Sequence, residues 1–501
     1  MDNSKLNQEG IHSKEGKINY YENLELETVP KGEVLVDEFG VKYSADGKQL
    51  IEAPFDIEEY SIREGTEIIC GSAFQHCEHL HKIDIPEGIV LLGALAFYDC
   101  QSLSEIILPN SLKVIYHNAF GGCNNLQELL IPSGVEYING NPCCGCNIHI
   151  NSLSPLFLTK EDILYDSNKT ELISCCQSYD GLGLNLIVGE SDYSSLLKSY
   201  GIYDDSEDWD DKITIIPNKL NKIGYGAFIN KFNLKSVFIP NNVEIIDTYA
   251  FAGCRDIIEI SLPESLQEIG EGAFENCSSL KKITIPKGVH KIYGNPFGGC
   301  KCEIVNHSSS FSVTNNVLYS KEGKELISYC SDDGNVLIPQ NVERISNGAF
   351  EYSSSIKSVS VPDSITLIGE GTFYRCTNLE KISISNNVSS IPRQCFKNCK
   401  SLKEISLPSH LTDIGFRAFY GCSSLKKVKL PEGLKEIGDT AFRCCKSLEE
   451  INIPDSITNL GENVFEKCNS LKRIIMSKAT YVHIKDALTR DVQQKIIFKQ
   501  E

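Results

Sequence analysis

The chain has 501 residues, 41% of them hydrophobic, and a formal net charge of −19 from 48 Lys and Arg against 67 Asp and Glu. This negative balance disfavours nonspecific binding to nucleic acid or to an anionic membrane surface. No run of residues reaches the roughly 18 consecutive apolar side chains that a membrane-spanning helix needs.

The first 32 residues are polar and show no periodicity, so we expect a flexible N-terminal arm. They contain no apolar segment of the kind found in a secretory signal peptide. A cytoplasmic location is therefore expected. The alternative is the cell surface, or secretion by a route that needs no N-terminal signal.

A β-hairpin is predicted over residues 33–55, where VLVDEFGVKYSADGKQLIEAPF turns at Asp46-Gly47. Tyr43 and Leu50 lie seven residues apart on its two strands. The same Tyr-to-Leu step recurs twice further along the chain, at Tyr165 and Leu172 and at Tyr319 and Leu326. We therefore expect a hairpin at the start of each of three arrays.

A unit of 23 residues recurs from about residue 56 onwards, most plainly between Ser401 and Cys468. Its marker is a Phe, found at positions 74, 97, 120, 228, 251, 274, 297, 350, 373, 396, 419, 442 and 465. Cys143 takes the Phe position in a fourteenth unit, so the groups hold four, four and six units. Repetition at this period is the signature of a solenoid, in which stacked units bury a shared core.

Each unit predicts two short strands and a turn. Leu402, Ile405 and Leu407 alternate and end at Pro408, which cannot donate to a ladder. A second extended piece ends at Gly415. The Ala-Phe-x-x-Cys segment that follows is expected to form one helical or 3-10 turn, because its apolar residues would share a face at that pitch.

The Leu-x-x-Ile-x-Ile/Leu-Pro segment resembles the strand consensus of leucine-rich repeats. The full unit resembles the BspA-like (Treponema pallidum type) subclass, over roughly residues 36 to 476. The resemblance implies a repeat solenoid that is a right-handed superhelix, β-dominated with short helical or 3-10 turns, its strands on the concave side. It also implies adhesion or protein binding.

Twelve of the 21 cysteines occupy the third position after the marker: Cys77, Cys100, Cys123, Cys146, Cys254, Cys277, Cys300, Cys376, Cys399, Cys422, Cys445 and Cys468. Lys231 and Ser353 take this position in the other two units. A thiol repeated once per coil indicates a small buried hydrophobe, and free thiols fit a reducing compartment. Redox or metal use is the alternative.

One joint is longer than the others, because Tyr165 and Phe228 lie 63 residues apart where Tyr319 and Phe350 lie 31 apart. The additional residues include the acidic segment Gly189–Asp211, which contains the only Trp, Trp209. Three interpretations remain open for it: a surface helix and acidic loop without a partner, a partner-binding element, or a calcium site. The calcium interpretation lacks the ligand spacing of an EF-hand loop.

The last 25 residues are expected to form a helical cap on the final coil. Val482–Ile496 can form an amphipathic helix with Ile484, Leu488, Val492 and Ile496 on one side. The predicted domains are the N-terminal arm (1–32), a capping hairpin (33–55), a first array (56–148), a hairpin joint with an acidic insertion (149–211), a second array (212–302), a hairpin joint (303–334), a third array (335–476) and the C-terminal helical cap (477–501).

The sequence contains none of the common nucleotide-binding or hydrolase motifs. Two clusters leave a zinc site open as an alternative to a structural role: His76, Cys77, His79 and His81, and Cys143, Cys144 and Cys146. Neither has the paired spacing of a zinc ribbon. No catalytic, cofactor-binding or metal-binding residue is predicted, and the chain is not expected to be an enzyme.

Outward positions of the first strand of each unit lie eight and ten residues after the marker. At the tenth position Ile107, Leu130 and Phe238 form an apolar row in a series that becomes rich in Ser later in the chain. Adjacent exposed apolar residues indicate an interaction site. The alternative is that residues 145 to 215 fold over the row and cover it.

These observations predict a non-enzymatic protein-binding or scaffold protein with a protein or peptide partner. Ile107, Leu130, Phe238 and Trp209 are the candidate partner-binding residues. No nucleic acid, membrane or cofactor is expected, and the chain is expected to be a monomer. The alternative is a surface adhesin or effector exported without a signal peptide.

Overall fold

The structure, a computed structural model, describes residues 34–160, 162–176, 213–215, 219–232 and 234–499. The predicted arm and the acidic segment with Trp209 lie outside these residues. The chain divides into two compact bodies, called the first and the second unit from here on, and each 23-residue repeat is called a coil. The first comprises the described residues up to Leu234 together with Phe238–Cys254, and the second comprises Lys235–Val237 and the described residues from Arg255 onwards.

A first strand forms at the Leu-x-x-Ile-x-Ile segment of most coils, although residues 103–109 form none. Most neighbouring first strands pair in parallel, as in Val359, Ile382 and Ile405, which are partners across three coils. These strands are β4 (Glu59–Ser61), β6 (Lys82–Asp84), β9 (Glu128–Ile131), β11 (His149–Ser152), β15 (Ile213–Ile215), β17 (Ser236–Phe238), β19 (Glu259–Ser261), β21 (Lys282–Ile285), β23 (Glu303–Asn306), β27 (Asn335–Leu337), β29 (Ser358–Ser360), β31 (Lys381–Ser383), β33 (Glu404–Ser406), β35 (Lys427–Val428), β37 (Glu450–Asn452) and β39 (Arg473–Met476).

The second strand of each coil is two or three residues long and pairs in parallel with its counterparts. Gly commonly follows it because backbones approach closely there: a Cβ on Gly415 would lie 2.6 Å from the Arg393 amide nitrogen. These strands are β5 (Ile68–Ile69), β7 (Leu91–Leu92), β8 (Val114–Tyr116), β10 (Tyr137–Asn139), β16 (Lys222–Ile223), β18 (Ile245–Ile246), β20 (Glu268–Ile269), β22 (Lys291–Ile292), β28 (Arg344–Ile345), β30 (Leu367–Ile368), β32 (Ser390–Ile391), β34 (Asp413–Ile414), β36 (Glu436–Ile437) and β38 (Asn459–Leu460).

The segment that carries the marker Phe is a series of β-turns, which differs from the helical or 3-10 turn expected from the sequence. In the coil of Phe419 the residues Arg417 and Gly421 have φ of 54° and 73°. Left-handed residues only four positions apart interrupt any right-handed helix in this segment. The amides of Arg417, Phe419 and Gly421 instead donate to carbonyls of the next coil at 2.8 to 3.1 Å.

The core of each unit is a ladder of the marker Phe side chains, which are all buried. Ring centroids of Phe419 lie 5.2 Å from Phe396 and 5.0 Å from Phe442, with near-parallel planes. The twelve repeated cysteines are buried beside them as free thiols, as predicted. Each unit is therefore a leucine-rich-repeat solenoid dominated by β structure.

Each hairpin predicted from the Tyr-to-Leu step is present with that register: Tyr43 pairs with Leu50, Tyr165 with Leu172 and Tyr319 with Leu326. One further antiparallel strand precedes each hairpin, and the last strand of each pairs in parallel with the next coil. The strands are β1 (Val34–Val36), β2 (Lys42–Ser44), β3 (Gln49–Glu52), β12 (Phe157–Lys160), β13 (Ile163–Asp166), β14 (Glu171–Cys175), β24 (Phe311–Thr314), β25 (Val317–Ser320) and β26 (Glu325–Tyr329).

A buried Asn bridges each of the two internal joints. The Asn141 side-chain amide donates to the Gly226 carbonyl at 2.9 Å, and the Asn295 amide donates to the Gly348 carbonyl at 2.7 Å. Each acceptor belongs to the first coil after the joint. The Gly-Asn-Pro signature that ends these arrays therefore ties the last coil of one array to the next.

The C-terminal segment differs from the single helix predicted over Val482–Ile496. It forms α1 (Lys478–Ile484), a 3-10 turn (Lys485–Ala487), α2 (Arg490–Gln493) and β40 (Ile496–Phe498). Leu488 has an extended backbone, with φ −100° and ψ 125°, which ends the first helical stretch. Ile484, Leu488 and Val492 are buried as expected, whereas Ile496 pairs with Ile474 of β39.

Candidate functional site

Side chains along the first strands alternate between exposed and buried, as the sequence predicts. In β6, Ile83 is buried while Lys82 and Asp84 are exposed. In β9, Leu129 is buried while Glu128 and Leu130 are exposed. The alternation follows from the pleat, which directs successive side chains to opposite faces.

An apolar strip lies on this side of the first unit and consists of Ile107, Leu130 and Leu153. Their exposed fractions are 73%, 43% and 60%. Leu130 is the register partner of Asn151 in β11, and the Leu153 amide donates to the Ile131 carbonyl at 2.9 Å. Two predicted site residues, Ile107 and Leu130, therefore occupy neighbouring coils at the surface.

Carboxylates border the apolar strip. Glu105 and Glu128 are exposed two residues before Ile107 and Leu130. Glu128 accepts a hydrogen bond from the Asn151 side-chain amide at 3.2 Å. Apolar side chains that a partner can cover dominate interface energies, while surrounding charges set approach and specificity.

Phe238 does not belong to the exposed row, which corrects the prediction from its repeat position. Its exposed fraction is 8%, and its neighbours Val237 and Ile239 are buried as well. Burial therefore does not alternate along this strand, although successive side chains still point to opposite faces. Counting from the marker gives the face toward which a side chain points but not what packs over that face.

The predicted row does not contain Leu153, because it omits the coil marked by Cys143. Leu153 lies ten residues after Cys143, so the same count identifies it. The step from Leu130 to its pairing partner Asn151 is 21 residues, two fewer than the usual 23. Leu153 therefore lies two residues after the partner of Leu130. Leu156 and Leu158 follow with exposed fractions of 45% and 40%. Trp209 lies outside the described residues.

A family model described as BspA type leucine rich repeat region matches this chain in six copies, over residues 52–167, 211–325, 323–417 and 389–491. These ranges cover more than half of the chain. The chain belongs to the BspA-type leucine-rich repeat family. The predicted resemblance is thereby confirmed.

Three solved structures illustrate what this BspA-type chain is similar to. A leucine-rich repeat protein from Bacteroides ovatus is 22% identical, with 94% of this chain and 99% of that chain covered and a TM-score of 0.35. A leucine rich cell surface protein from Faecalibacterium prausnitzii is 23% identical, with 91% and 98% covered and a TM-score of 0.41. The pneumococcal vaccine antigen PcpA is 18% identical, with 94% and 99% covered and a TM-score of 0.39. No curated protein matches the chain.

The His and Cys side chains of the two candidate zinc clusters have other partners in this BspA-type chain. His76 contacts Asp99 at 3.1 Å, His81 contacts Glu59 at 3.0 Å, and the Cys77 thiol donates to the Pro54 carbonyl at 3.4 Å. The Cys146 thiol makes the same bond to a Phe carbonyl that other repeated cysteines make, to Phe120 at 3.1 Å. Within the described residues no group of three or more His, Cys, Asp or Glu side chains is arranged to hold a metal ion.

In the third array the corresponding row begins with the apolar residue Leu337 and continues with hydroxyl side chains. Leu337 is the register partner of Ser360, which pairs with Ser383. The exposed fraction of Leu337 is 83%, so a single apolar side chain precedes a row of hydroxyls.

Across the part of the chain that the structure covers, no helix has the length and apolar character needed to span a membrane.

Proposed function

We propose that the chain is a non-enzymatic protein-binding or scaffold protein whose apolar strip contacts a protein or peptide partner. The observation that carries the proposal is the exposure of Ile107 and Leu130 in neighbouring coils of the first unit. Their side chains gain most by being covered, since burial of apolar surface drives association. Glu105 and Glu128 beside them favour a partner with basic groups at its rim.

The test compares variants that remove apolar surface from matching positions of the two units. Ile107→Ser with Leu130→Ser removes two of the three side chains of the strip, and Leu337→Ser removes an exposed side chain from the same repeat position in the second unit. The intact chain first captures a partner from host lysate, which is identified and purified. Its affinity for the strip variant should fall about tenfold or more. Equal affinity for the strip variant, or an equal loss with Leu337→Ser, would contradict the proposal.

The acidic segment remains a separate prediction. We expect Trp209→Ala, and a version lacking Gly189–Asp211, to weaken binding of the same partner. An unchanged affinity of both would limit the site to the strip. The further expectations of a monomer that binds neither nucleic acid nor membrane also stay predictions.

Two compartments can be distinguished experimentally. The free thiols of the repeated cysteines support a reducing compartment, because oxidising compartments promote disulfide formation. The alternative is an adhesin or effector outside the cell. Protease treatment of intact host cells, followed by fractionation, should leave a cytoplasmic chain uncut and cleave a surface chain.

A further inference from the structure

Four cations lie together on the turn segments of three successive coils in the second unit. We name Arg375, Arg393, Lys397 and Arg417 the basic cluster. Arg375 and Arg393 are exposed, and Lys397 and Arg417 are half-buried. The cluster stands out in a chain whose formal net charge is −19.

Aromatic rings hold these cations in place. The closest approaches to ring centroids are 5.3 Å from Arg375 to Tyr352, 5.4 Å from Arg375 to Tyr374, 5.1 Å from Lys397 to Tyr374, 5.1 Å from Arg393 to Phe416 and 4.6 Å from Arg417 to Phe416. Such contacts orient a cation without neutralising it. The charged groups are therefore pre-positioned for a further ligand.

None of the four cations takes part in the ion pairs found among the described residues, whereas Arg443 in the next coil is paired with Glu466 at 2.9 Å. The Arg417 Nε atom is buried and has no hydrogen-bond partner there. Burial and the charges of Arg417, Arg375 and Arg393 lower the pKa of Lys397 to about 8, against an opposing effect of Glu351. The positive charges thus repel one another. The carboxyl groups of Glu275 and Glu351 interact with Arg375, and that of Glu351 also with Lys397, but neither forms an ion pair with them among the described residues.

The length of the cluster sets the size of its ligand. Ring centroids of Phe373 and Phe396 lie 5.3 Å apart, and those of Phe396 and Phe419 lie 5.2 Å apart. The three coils therefore span about 10 Å, which an extended peptide covers with about four residues. Carboxylates lie on both sides of this span, at Glu351 in the coil before it and at Asp439, Glu462 and Glu466 in the coils after it, and Glu370 lies in its first coil. A long polyanion would meet these like charges, and a short one would not.

We propose that the basic cluster binds a short acidic segment of a protein partner, about four residues long and bearing at least two carboxylates. Guanidinium groups bind carboxylates through two parallel hydrogen bonds, and three of the four cations are Arg. The basic cluster lies in the second unit and does not depend on the apolar strip. The proposal therefore adds a second binding surface to the function proposed above.

The experiment titrates the full chain into a fluorescein-labelled tetra-glutamate peptide at low salt and follows fluorescence anisotropy. A tetra-glutamine peptide, inorganic phosphate and a single-stranded oligonucleotide serve as further ligands. The double variant Arg375→Gln and Arg417→Gln removes two charges from the cluster. Lys426→Gln with Lys427→Gln removes two exposed charges from a neighbouring strand segment as the matched control.

The glutamate peptide should bind about tenfold more weakly to the cluster variant and with nearly unchanged affinity to the control variant. Arg375→Lys with Arg417→Lys should restore part of the affinity, which separates a charge effect from misfolding. The proposal is overturned if the glutamine peptide binds equally well, if both double variants lose affinity alike, or if no binding occurs. Tighter binding of phosphate or the oligonucleotide would assign the cluster to that ligand instead and would also overturn it.

Discussion

The repeated cysteine donates a hydrogen bond to a backbone carbonyl in addition to packing in the core. The Phe396 carbonyl accepts a hydrogen bond from the Cys399 amide at 3.1 Å and a second from the Cys422 thiol of the next coil at 3.1 Å. The same thiol bond recurs in other coils, for example from Cys445 to Phe419 at 3.2 Å. Both lone pairs of the carbonyl are used, which an Ala in this position would not achieve.

Cys444 and Cys445 provide a matched pair for a thiol-labelling prediction. Cys445 is buried and Cys444 is half-buried. Burial raises the pKa of Cys445 well above its ordinary range, which removes the reactive thiolate. A thiol reagent should therefore modify Cys444 in the native protein and Cys445 only after denaturant is added, as read by peptide mass spectrometry.

A second readout uses substitutions at the same two positions. Cys445→Asp should destabilise the second unit by roughly 3 kcal/mol or more, because it buries a charge without a partner. Cys444→Asp should cost much less. Rapid labelling of Cys445 in the native state, or equal loss of stability in both variants, would show that the repeated thiol is not part of the core.

Two half-buried glutamate side chains approach each other at the joint between the coils of Phe297 and Phe350. Gly298 lies between Glu275 and Glu351, and a Cβ on Gly298 would be 3.5 Å from Glu275 Cγ and 3.6 Å from Glu351 Cβ. Because Gly298 has no side chain, the side chains of Glu275 and Glu351 can approach each other. Burial raises the pKa of Glu275 to about 7, and burial together with the charge of Glu275 raises the pKa of Glu351.

This arrangement predicts greater stability of the second unit at mildly acidic pH. The ordinary pKa of Glu275 is 4.5, so between 4.5 and about 7 the folded state retains a proton that the unfolded state has lost. The stabilisation is complete below the unfolded pKa and is lost as pH rises through 7. Unfolding by denaturant should therefore require about 1 to 2 kcal/mol more at pH 5.5 than at pH 8 through this group.

Glu275→Gln should remove most of this pH dependence, because the amide needs no proton to be buried. Glu259→Gln changes an exposed carboxyl in the same unit and serves as the control. A pH dependence that persists unchanged in Glu275→Gln would assign it to other groups.

The elements that the sequence predicts well are those marked by a repeated apolar residue. The Tyr-to-Leu step predicted the register of all three hairpins because the Leu is buried, the Tyr is buried or partly buried, and their spacing fixes the pairing. The turn that carries Phe419 could not be predicted in the same way. Its left-handed residues include Arg417 and Gly421, and Arg carries no sequence signal for positive φ.

At the scale of the whole molecule, the candidate site was predicted only in part. Leu130 is exposed because the pleat of β9 directs it away from the face of the buried Leu129, and Ile107 is exposed at the same repeat position without a regular strand. The burial of Phe238 depends on contacts that a repeat position does not encode. The basic cluster escaped prediction for a related reason, since its members occupy different positions in three coils and meet only when the coils stack.

The core ladder predicts that damage stays near the substituted coil. Phe419→Ala removes a fully buried ring that stacks between Phe396 and Phe442, and it should cost roughly 3 to 5 kcal/mol. Each coil contacts mainly its neighbours in a repeat protein, so the loss should be graded along the array. Hydrogen exchange should show the largest loss of amide protection in the coils beside Phe419. Phe97→Ala, which removes the corresponding ring of the first unit, should place its largest loss beside Phe97. Equal loss of protection throughout both units in either variant, or unchanged unfolding of Phe419→Ala, would contradict this local coupling.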